Sequence, residues 1–412
     1  MIHLMFILYN LFYLLFIPLI IIRDILTIDK NQLKTVAQRL GFKLGKSRED
    51  TIWLHGVSLG ESKIVIPLAK KIAEQGIKVL VSSTTNTGRK EIENKLSNTS
   101  IETIPFPYDL GSIHRKIINQ FQVKKIILFE SEFWPNLINS SDDVKVISIN
   151  TSLSDQSFER FKFFKNFSKL IFSRVNLFLA QTEETVERLK ELGASDIKLL
   201  GNIKNNPENY SVDGELAESF ANLIDDNAVK VVLGSSHEGE EEFFYEALKD
   251  LQDLKLIIAP RHPERINGII ETFEKRSVNC VKFSNLLEGE NSNTNDIVIF
   301  DLTGELLNFY SVCDIAVVAG SIIFDRGHNF MEPTYAGTLS ITGSKLENYK
   351  ELKKRLCDSG VYETFSDSVE LKNLVLKYLD QNARELKVKS QKIELEKISG
   401  TYDEVLAAIN EL

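Results

Sequence analysis

Cysteine, positive net charge and metal-binding spacings are scarce or missing in this sequence. The three cysteines, Cys280, Cys313 and Cys357, lie far apart, so they form no zinc motif and indicate a reducing compartment. The six histidines include no His-Glu-x-x-His spacing, and we therefore expect no metal and no metal cofactor. The net charge of −9 argues against a nucleic-acid partner, because such partners bind basic faces.

Two signatures of nucleotide enzymes are also absent. No Gly-x-Gly-x-x-Gly follows the first predicted strand, and no Gly-x-x-x-x-Gly-Lys-Ser/Thr occurs. The main sequence signals for a nicotinamide dehydrogenase and for a P-loop enzyme are therefore missing. What is present is a globular composition, with 43% hydrophobic and 26% charged residues in 412, enough for two domains or more.

The N-terminal segment from Ile2 to Ile22 is almost uninterrupted in its apolar character and is long enough to cross a bilayer as a helix. It lacks a basic n-region and a small-residue cleavage site, which favours a retained anchor over a signal peptide. Basic side chains follow the segment and none precedes it, so the positive-inside rule places the rest of the chain in the cytoplasm. A helix lying in the membrane surface is the alternative, and it gives the same compartment.

The stretch after this segment predicts a strand, a turn and a helix. Thr51 to Val57 is an apolar run typical of a buried strand, and Lys63 to Glu74 has apolar residues at helical spacing. Because proline is tolerated near the first turn of a helix, Pro67 predicts a helix start around Ser62 to Ile64. Glu61 then lies at the carboxyl end of the strand and is a candidate general base. The alternative, favoured by this stretch alone, is a solvated acid stabilised by the helix dipole.

Strand and helix patterns alternate from here on, which predicts parallel sheets covered on both faces. A polar, breaker-rich stretch separates two such series. The fold class is therefore α/β, with two doubly wound, Rossmann-like domains facing each other across a cleft. The predicted strands are Thr51–Val57, Lys78–Thr84, Lys124–Phe129, Val144–Ile149, Leu177–Ala180, Val229–Leu233, Leu254–Ala259, Asp296–Phe300, Ile315–Ala319 and Leu339–Thr342. The predicted bounds are an anchor over 1–22, a first domain over 23–203, a linker over 204–214, a second domain over 215–390, and a helical segment over 391–412 that packs back.

Polar clusters recur at the predicted strand ends. Glu130 and Glu132 follow one strand, where paired acids can support charge in a substrate, although helix capping is the favoured role for Glu132. Arg261 follows a strand of the second series, where its guanidinium can grip a phosphate with two hydrogen bonds. The helix predicted after His328 offers an N-terminus for an anion, and Glu332 offers a carboxylate for a ribose diol. Together they indicate a nucleotide-activated donor and a hydroxyl acceptor, on a lipid.

These clusters fall in blocks that resemble the signature blocks of 3-deoxy-D-manno-octulosonic acid (Kdo) transferases, in the same order. The matching blocks are WLHGVSLGE (53–61), TTNTG (84–88), FPYD (106–109), ESEFWPNL (130–137), NTSLSDQS (150–157), GNIK (201–204), SHEGEE (236–241), PRHPER (260–265) and GHNFMEP (327–333).

The resemblance implies a GT-B glycosyltransferase that moves Kdo from CMP-Kdo to the lipid A precursor, lipid IVA, at the cytoplasmic face of the inner membrane. It implies that the first domain binds this acceptor and the second binds CMP-Kdo. It implies a proton acceptor at Glu61 and stabilisers of the transition state at Glu130 and Lys204. The implied contacts to cytidine monophosphate (CMP) are Pro260, Arg261, Thr303, Gly304, Glu305, Asn329, Phe330, Met331 and Glu332.

Three residues depart from the family pattern: Ala319 and Arg326 replace usual glycines, and Ser152 replaces a usual arginine. Arg326 either adds a phosphate contact or restricts a loop in which glycine was free. The departures bear on substrate details more than on the reaction class.

Two rival functions stay open at the level of sequence. One is a GT-B enzyme that uses a UDP-sugar. The other, a membrane-tethered scaffold with a decayed site, is disfavoured because Glu61, Arg261 and Glu332 are all present. We expect His55 and His262 to satisfy backbone groups, and His328 to contact the donor. No residue decides how many Kdo units are added, and the acyl chains of the acceptor and the oligomeric state are equally undetermined.

Overall fold

The computed structural model describes residues 2–27, 32–47, 49–56, 59–224, 228–290 and 297–412. Some predicted features lie outside these ranges: the strand ends at Val57 and Asp296, Ser58 of the first block, and the basic residues Lys30 and Arg48.

The chain alternates strands and helices. The strands are β1 (Thr51–His55), β2 (Lys78–Ser83), β3 (Glu102–Pro105), β4 (Val123–Phe129), β5 (Lys145–Thr151), β6 (Leu177–Ala180), β7 (Ile197–Leu199), β8 (Val229–Ser236), β9 (Leu254–Pro260), β10 (Cys280–Lys282), β11 (Ile297–Ile299), β12 (Ile315–Val318), β13 (Leu339–Gly343) and β14 (Glu363–Phe365).

The helices are α1 (Ile2–Thr27), α2 (Gln32–Arg39), α3 (Leu59–Glu74), α4 (Asn86–Leu96), α5 (Gly111–Phe121), α6 (Pro135–Asn139), α7 (Asp155–Phe163), α8 (Lys165–Phe172), α9 (Glu183–Leu192), α10 (Gly214–Leu223), α11 (Glu240–Leu248), α12 (Ile266–Glu274), α13 (Phe283–Leu287), α14 (Leu306–Tyr310), α15 (Glu332–Tyr335), α16 (Lys350–Leu352), α17 (Ser368–Lys377), α18 (Gln381–Ile398) and α19 (Tyr402–Asn410). Short 3₁₀ turns cover Ile203–Asn205, Pro207–Tyr210, Pro263–Arg265 and Glu347–Tyr349, and a π-helix covers Lys353–Cys357.

The first compact unit consists of Met1–Asn209 and Ile398–Leu412. Its parallel sheet has the order β3-β2-β1-β4-β5-β6-β7, so the direction in which strands are added reverses between β1 and β4. In open parallel sheets, ligands bind beyond the carboxyl ends of the strands at such a reversal. The loops after β1 and β4 are therefore the place in this unit where a site is expected.

The second compact unit is Tyr210–Lys397, with a parallel sheet in the order β10-β11-β9-β8-β12-β13-β14. Here the reversal falls between β8 and β12. In both units the central strands are buried on both faces, as the continuous apolar runs predicted.

The last helices divide between the units. Helix α18 packs in the second unit, where Gln391 bonds to both main-chain polar groups of Ser340. Helix α19 packs on the first unit, and its buried Val405 and Ile409 join the core beneath β1 and β2. The returning segment therefore begins at Ile398, later than the bound at residue 391 drawn from the sequence.

Helix α3 begins at Leu59, earlier than Pro67 predicted, and Pro67 lies inside it. A proline this far into a helix leaves the carbonyl four residues earlier without its helical hydrogen bond. The apolar face of the helix offsets this loss, since Val65, Leu68 and Ala69 are fully buried against the sheet. The correction places Glu61 within the first turn of α3 rather than in the loop before it.

Helix α1 packs on the first unit along most of its length. Phe6 and Ile17 are buried, and Asp24 accepts a hydrogen bond of 2.7 Å from Arg39. The Tyr9 hydroxyl donates to the carboxylate of Asp109 at 2.7 Å. The helix is held to the folded unit at both ends and in the middle.

The opposite face of α1 is apolar and exposed. Its exposed side chains are Ile7, Leu8, Leu11, Phe12, Leu14, Leu15, Phe16, Leu19, Ile22, Ile25 and Leu26. Over Met5–Leu26 the helix is long and apolar enough, by length and composition, to cross a membrane.

Candidate active site

Glu61 is a buried carboxylate, 7% exposed, in the first turn of α3 directly beyond β1. Gly56, at the end of β1, makes room for it. A side chain at Gly56 would place its Cβ 2.7 Å from Val65 Cγ2, so Val65 would have to shift, and would bring it into contact with Glu61 Oε2 at 3.6 Å. The local sequence thus positions one acid at the reversal point of the first sheet.

Glu130 follows β4, the strand next to β1, and forms an ion pair with Lys204. Its backbone has φ of 53°, a left-handed conformation that costs a non-glycine residue about 1–2 kcal/mol. Strain of this kind is concentrated at functional sites, where the surrounding structure holds it in place. The structure therefore brings together Glu130 and Lys204, two of the three predicted catalytic residues.

Asn150 holds the loop that carries Lys204. It lies at the end of β5, fully buried with φ of 52°, and its side-chain oxygen accepts a hydrogen bond of 2.9 Å from the Ile203 backbone. Asn202 bonds to the Lys204 backbone at 2.9 Å and closes the same turn. No role was predicted for Asn150, although an Asn at a strand end is a signal for a left-handed turn.

Glu132 was expected to cap the next helix, and that expectation is wrong. The free N–H groups of α6, at Asn136 and Leu137, donate instead to the buried carboxylate of Asp109, at 3.1 and 3.0 Å. Glu132 lies near Glu61, and burial together with the negative charges of Glu61 and Glu130 raises its pKa to about 7. At neutral pH this second acid therefore holds a proton much of the time.

His55 is not available as a base. Its ring is fully buried, stacks on Phe106 at 3.7 Å between centroids, and lies 3.0 Å from the Ser82 hydroxyl through Nδ1. Burial lowers the pKa of His55 to about 3, so the ring stays neutral. Its Nδ1 also lies 3.2 Å from the Ser82 carbonyl, in agreement with the expected structural role.

In the second unit, Pro260 ends β9 and Arg261 follows it with an exposed side chain. The Arg261 backbone donates to the carbonyl of Ser236 at 3.0 Å, which ties the ends of β9 and β8 together. His262, expected to satisfy a backbone group, has an exposed ring with Nδ1 3.6 Å from the Glu264 carboxylate.

The loop before α14 contains Thr303, Gly304 and Glu305. Gly304 has φ of +91° and open space where a side chain would point. The Glu305 carboxylate accepts a hydrogen bond of 2.7 Å from Asn308. These residues form an exposed turn whose backbone a ligand can approach.

Asn329 shapes the loop before α15. Its side chain accepts from the Met331 backbone at 3.2 Å and donates to the Tyr210 hydroxyl at 3.1 Å. The side chains of Phe330 and Met331 are buried, at 0 and 2% exposure, so only their backbones can face a ligand.

The anion-binding helix predicted after His328 is short. Helix α15 has four residues and begins at Glu332, so it offers little of the dipole that a long helix has. The positive groups of this part of the unit are side chains instead. Among the described residues, no group of three or more His, Cys, Asp or Glu side chains is arranged to hold a metal ion.

Comparison with known proteins assigns the chain to a family. The family model "3-Deoxy-D-manno-octulosonic-acid transferase (kdotransferase)" matches residues 34–206. The 3-deoxy-D-manno-octulosonic acid transferase of Rickettsia bellii is 30% identical over 392 residues, which cover 91% of each chain. The chain belongs to the Kdo transferase family. A Haemophilus influenzae member is also 30% identical, over 82% of each chain.

This Kdo transferase also matches a longer protein. It is 32% identical over 317 residues to a "Bifunctional glycosyltransferase/methyltransferase" of Fusobacterium nucleatum, and the match covers 75% of this chain and 49% of the other. The chain therefore spans about half the length of that relative.

Solved structures give the fold of this Kdo transferase. A glycosyltransferase of Rickettsia africae superposes with a TM-score of 0.58 at 15% identity, over 88% of this chain and 98% of the other. MurG of Acinetobacter baumannii gives 0.55 at 11% identity, over 88% and 100%. With the two parallel α/β units, these neighbours confirm the GT-B fold class, built from two doubly wound domains.

The region that matches the family model contains the predicted catalytic residues and none of the predicted CMP contacts. Glu61 and Glu130 lie within residues 34–206, as does Lys204, while the predicted CMP contacts lie beyond them. The departures in the second unit are accommodated: Ala319 is fully buried in the apolar core, and Arg326 is exposed.

Proposed function

We propose that this Kdo transferase moves Kdo from CMP-Kdo to the lipid A precursor, lipid IVA, in the inner-core stage of lipopolysaccharide biosynthesis. The observation that carries the proposal is that the buried Glu61 carboxylate and the Glu130–Lys204 ion pair follow the neighbouring strands β1 and β4, at the strand reversal of the unit that matches the family. Family membership supports the transferred group, and the site supports the chemistry.

The proposed reaction is an inverting displacement with Glu61 as general base. Glu61 removes the proton from a sugar hydroxyl of the acceptor while that oxygen attacks the anomeric carbon of Kdo. The bond from that carbon to the phosphate breaks on the opposite side, and CMP leaves with its electron pair. General-base assistance of this kind contributes about 10²–10⁴-fold.

Glu132 supports this assignment. Its pKa of about 7 lets it remain protonated beside Glu61 at neutral pH, since two adjacent carboxylates do not readily ionise together. A protonated Glu132 cannot accept a proton, so we assign the role of general base to Glu61, which stands directly beyond β1.

Charge stabilisation is assigned to fixed side chains. Lys204 is held by Glu130 and the Asn202 turn, and a preorganised cation acts best where negative charge develops. We propose that Arg261 binds the phosphate and that the Thr303–Glu305 turn and the Asn329–Glu332 loop bind the cytidine. A single phosphate can be neutralised in this way, and we propose no metal or other cofactor.

We propose that α1 associates with the cytoplasmic face of the inner membrane and lies in the plane of the interface. A spanning helix would carry the polar groups bonded to it, such as Asp109 and Arg39, into the hydrocarbon core at high cost. An in-plane helix keeps those bonds and buries its exposed apolar face in lipid. This arrangement would deliver the enzyme to a lipid acceptor.

The test is mass spectrometry of tetraacylated lipid A precursor after incubation with the full-length enzyme in detergent or lipid. With CMP-Kdo we expect a mass increase by whole Kdo units, which also counts the additions. A parallel reaction with UDP-sugars should leave the acceptor unchanged. Transfer from a UDP-sugar and none from CMP-Kdo would overturn the proposal in favour of the UDP-sugar alternative.

A further inference from the structure

Two histidines meet at the strand reversal of the second sheet. His237 follows β8 and His328 lies in the loop after β12, the two strands between which that sheet reverses. Their Nε2 atoms are 2.8 Å apart, and the rings lie nearly parallel, at 14° and 5.1 Å between centroids. In the first unit Glu61 and Glu130 follow the equivalent strands, β1 and β4. The pair therefore occupies the place where an open parallel sheet binds its ligand.

The buried carboxylate of Glu240 holds both loops in place. It accepts backbone hydrogen bonds from His237 at 3.0 Å, from Gly320 at 2.9 Å and from Ile322 at 3.1 Å. Gly320 has φ of +75°, and a Cβ there would come within 2.6 Å of the His328 ring. The rings are thus placed by a built framework rather than by a chance contact of loops.

The charged groups around the pair are two arginines and two glutamates, and they differ in the partners they already have. Arg261, His262 and Arg265 act on the rings from the end of β9 and the turn that follows, and Glu240 and Glu241 act on them from α11. Both acids are already engaged. Glu240 binds the backbone groups just described, and Glu241 pairs with Arg265 at 2.8 Å.

Without a ligand, both rings are expected to be neutral near pH 7. Burial is the first cause that lowers the pKa of His328, to about 4, and the neighbouring His237 and Arg261 lower it further. Burial also lowers the pKa of His237. One Nε2 then donates its hydrogen to the other ring's Nε2, and that second Nε2 has no lone pair left to accept another hydrogen bond.

We propose that His237 and His328 form a proton-linked anion subsite, which takes up a proton from solvent when an anionic oxygen of the nucleotide-sugar donor binds beside Arg261. The anion favours the imidazolium form, because an opposite charge within about 4–6 Å stabilises a charged group. The proton is added to a ring nitrogen, and no other bond is made or broken. The inference deepens the proposed function and rests on it, since the oxygen comes from either the phosphate or the sugar carboxylate of the donor.

The test is isothermal titration calorimetry of the full-length enzyme with CMP, near pH 7.5, in two buffers of different ionisation enthalpy. We expect the observed heat to depend on the buffer, with uptake of up to about one proton per nucleotide. His328→Gln keeps a ring-sized polar group but cannot titrate, so its buffer dependence should vanish. His262→Gln, which removes a nearby ring outside the hydrogen-bonded pair, should retain it. A wild-type heat that is independent of buffer with both CMP and CMP-Kdo would overturn the inference.

A second readout needs no variant. Because binding takes up a proton, the affinity of the wild-type enzyme should rise as the pH falls from 8.5 to 7, by at most about tenfold per pH unit. Equal affinity across this range would also contradict the inference.

A third comparison identifies the oxygen. If CMP alone produces the uptake, the phosphate is the ligand; if only CMP-Kdo does, the carboxylate is. Transfer of Kdo without any proton uptake would refute the subsite and leave the proposed function standing. If neither nucleotide binds and no transfer occurs, both are wrong.

Discussion

Glu132 and Glu61 lie beyond neighbouring strands, and their carboxyl groups repel each other when both are ionised. Burial and this repulsion raise the pKa of Glu132 to about 7 from its ordinary 4.5. A group whose pKa is raised by folding stabilises the folded protein while it is protonated, and that stabilisation is lost as the pH rises through the folded pKa. Glu132 therefore links the stability of the first unit to pH between about 4.5 and 7.

Replacement of Glu132 by Gln should reveal this linkage. Gln cannot ionise, so its stability should not fall as the pH rises. The free energy of unfolding of the variant, relative to that of wild type, should therefore be higher at pH 8 than at pH 5, by on the order of 1–3 kcal/mol. Urea unfolding at the two pH values measures the difference. Glu187→Gln, on the exposed face of α9, is the control and should change little. An equal difference between wild type and E132Q at both pH values would show that Glu132 titrates normally.

Lys204 gives a second prediction at this scale. Lys204→Gln removes the cation but keeps a polar side chain in the turn after Asn202, so folding should survive. We expect kcat for transfer to fall about 10²–10³-fold, as when one preorganised donor is removed from a transition state. Lys198→Gln, which breaks an exposed pair with Glu411, is the matched control and should leave kcat unchanged. If both variants lower kcat equally, Lys204 has no special role.

At the scale of elements, the sequence predicted the central strands and missed the edges. The missed strands are β3, β7, β10 and β14, and they form both edges of both sheets. Each has only three or four residues, and an edge strand pairs on one side alone, so its sequence need not be a long apolar run. Central strands such as β4 are buried on both faces, and their apolar runs predicted them directly.

The positions of some candidate site residues could be predicted for a related reason, while their roles remain predictions. Glu61, Glu130 and Arg261 follow central strands, so a pattern of strand ends located them. The role of Glu132 could not be found in this way, because the group that caps α6 is Asp109, from another strand end. The contact of His237 with His328 likewise depends on the strand order β8-β12, which local sequence does not contain.

The orientation of α1 yields a prediction that separates lying in the interface from spanning the bilayer. Single cysteines at Met5 and at Arg23, which are not part of the exposed apolar face, would be treated with an impermeant maleimide in sealed inside-out vesicles that carry the Cys280→Ser change; Cys313 and Cys357 are buried. An in-plane helix should present both positions to the cytoplasmic side, so both should react. Reaction at only one of them would mean that α1 spans the membrane.

At the scale of the whole molecule, the first unit is built from two separate parts of the chain, because α19 returns to it and completes the core of that unit. Lys125 of β4 donates to the Ile409 carbonyl at 2.5 Å, and Ile409 is 1% exposed. Ile409→Ala should therefore cost about 2–4 kcal/mol in the unfolding of the first unit. Thermal unfolding measures the change, and Ile393→Ala on α18, where the side chain is 44% exposed, is the control. A small effect at Ile409 would mean that α19 is dispensable for the fold.

The two units share one arrangement. In each parallel sheet the direction in which strands are added reverses once, and the candidate site residues lie at that reversal. In the first unit these are acids and a lysine, suited to activating an acceptor hydroxyl. In the second they are histidines next to an arginine, suited to an anionic donor. The central claim is that Glu61, in the first unit, is the general base of the transfer reaction.

The most direct test of that claim is single-turnover transfer by Glu61→Gln, compared with wild type at saturating CMP-Kdo and lipid acceptor. We predict a rate lower by about 10²–10⁴-fold with CMP affinity unchanged, because Gln keeps the shape of the side chain and cannot accept a proton. A near-normal rate in Glu61→Gln would contradict the account.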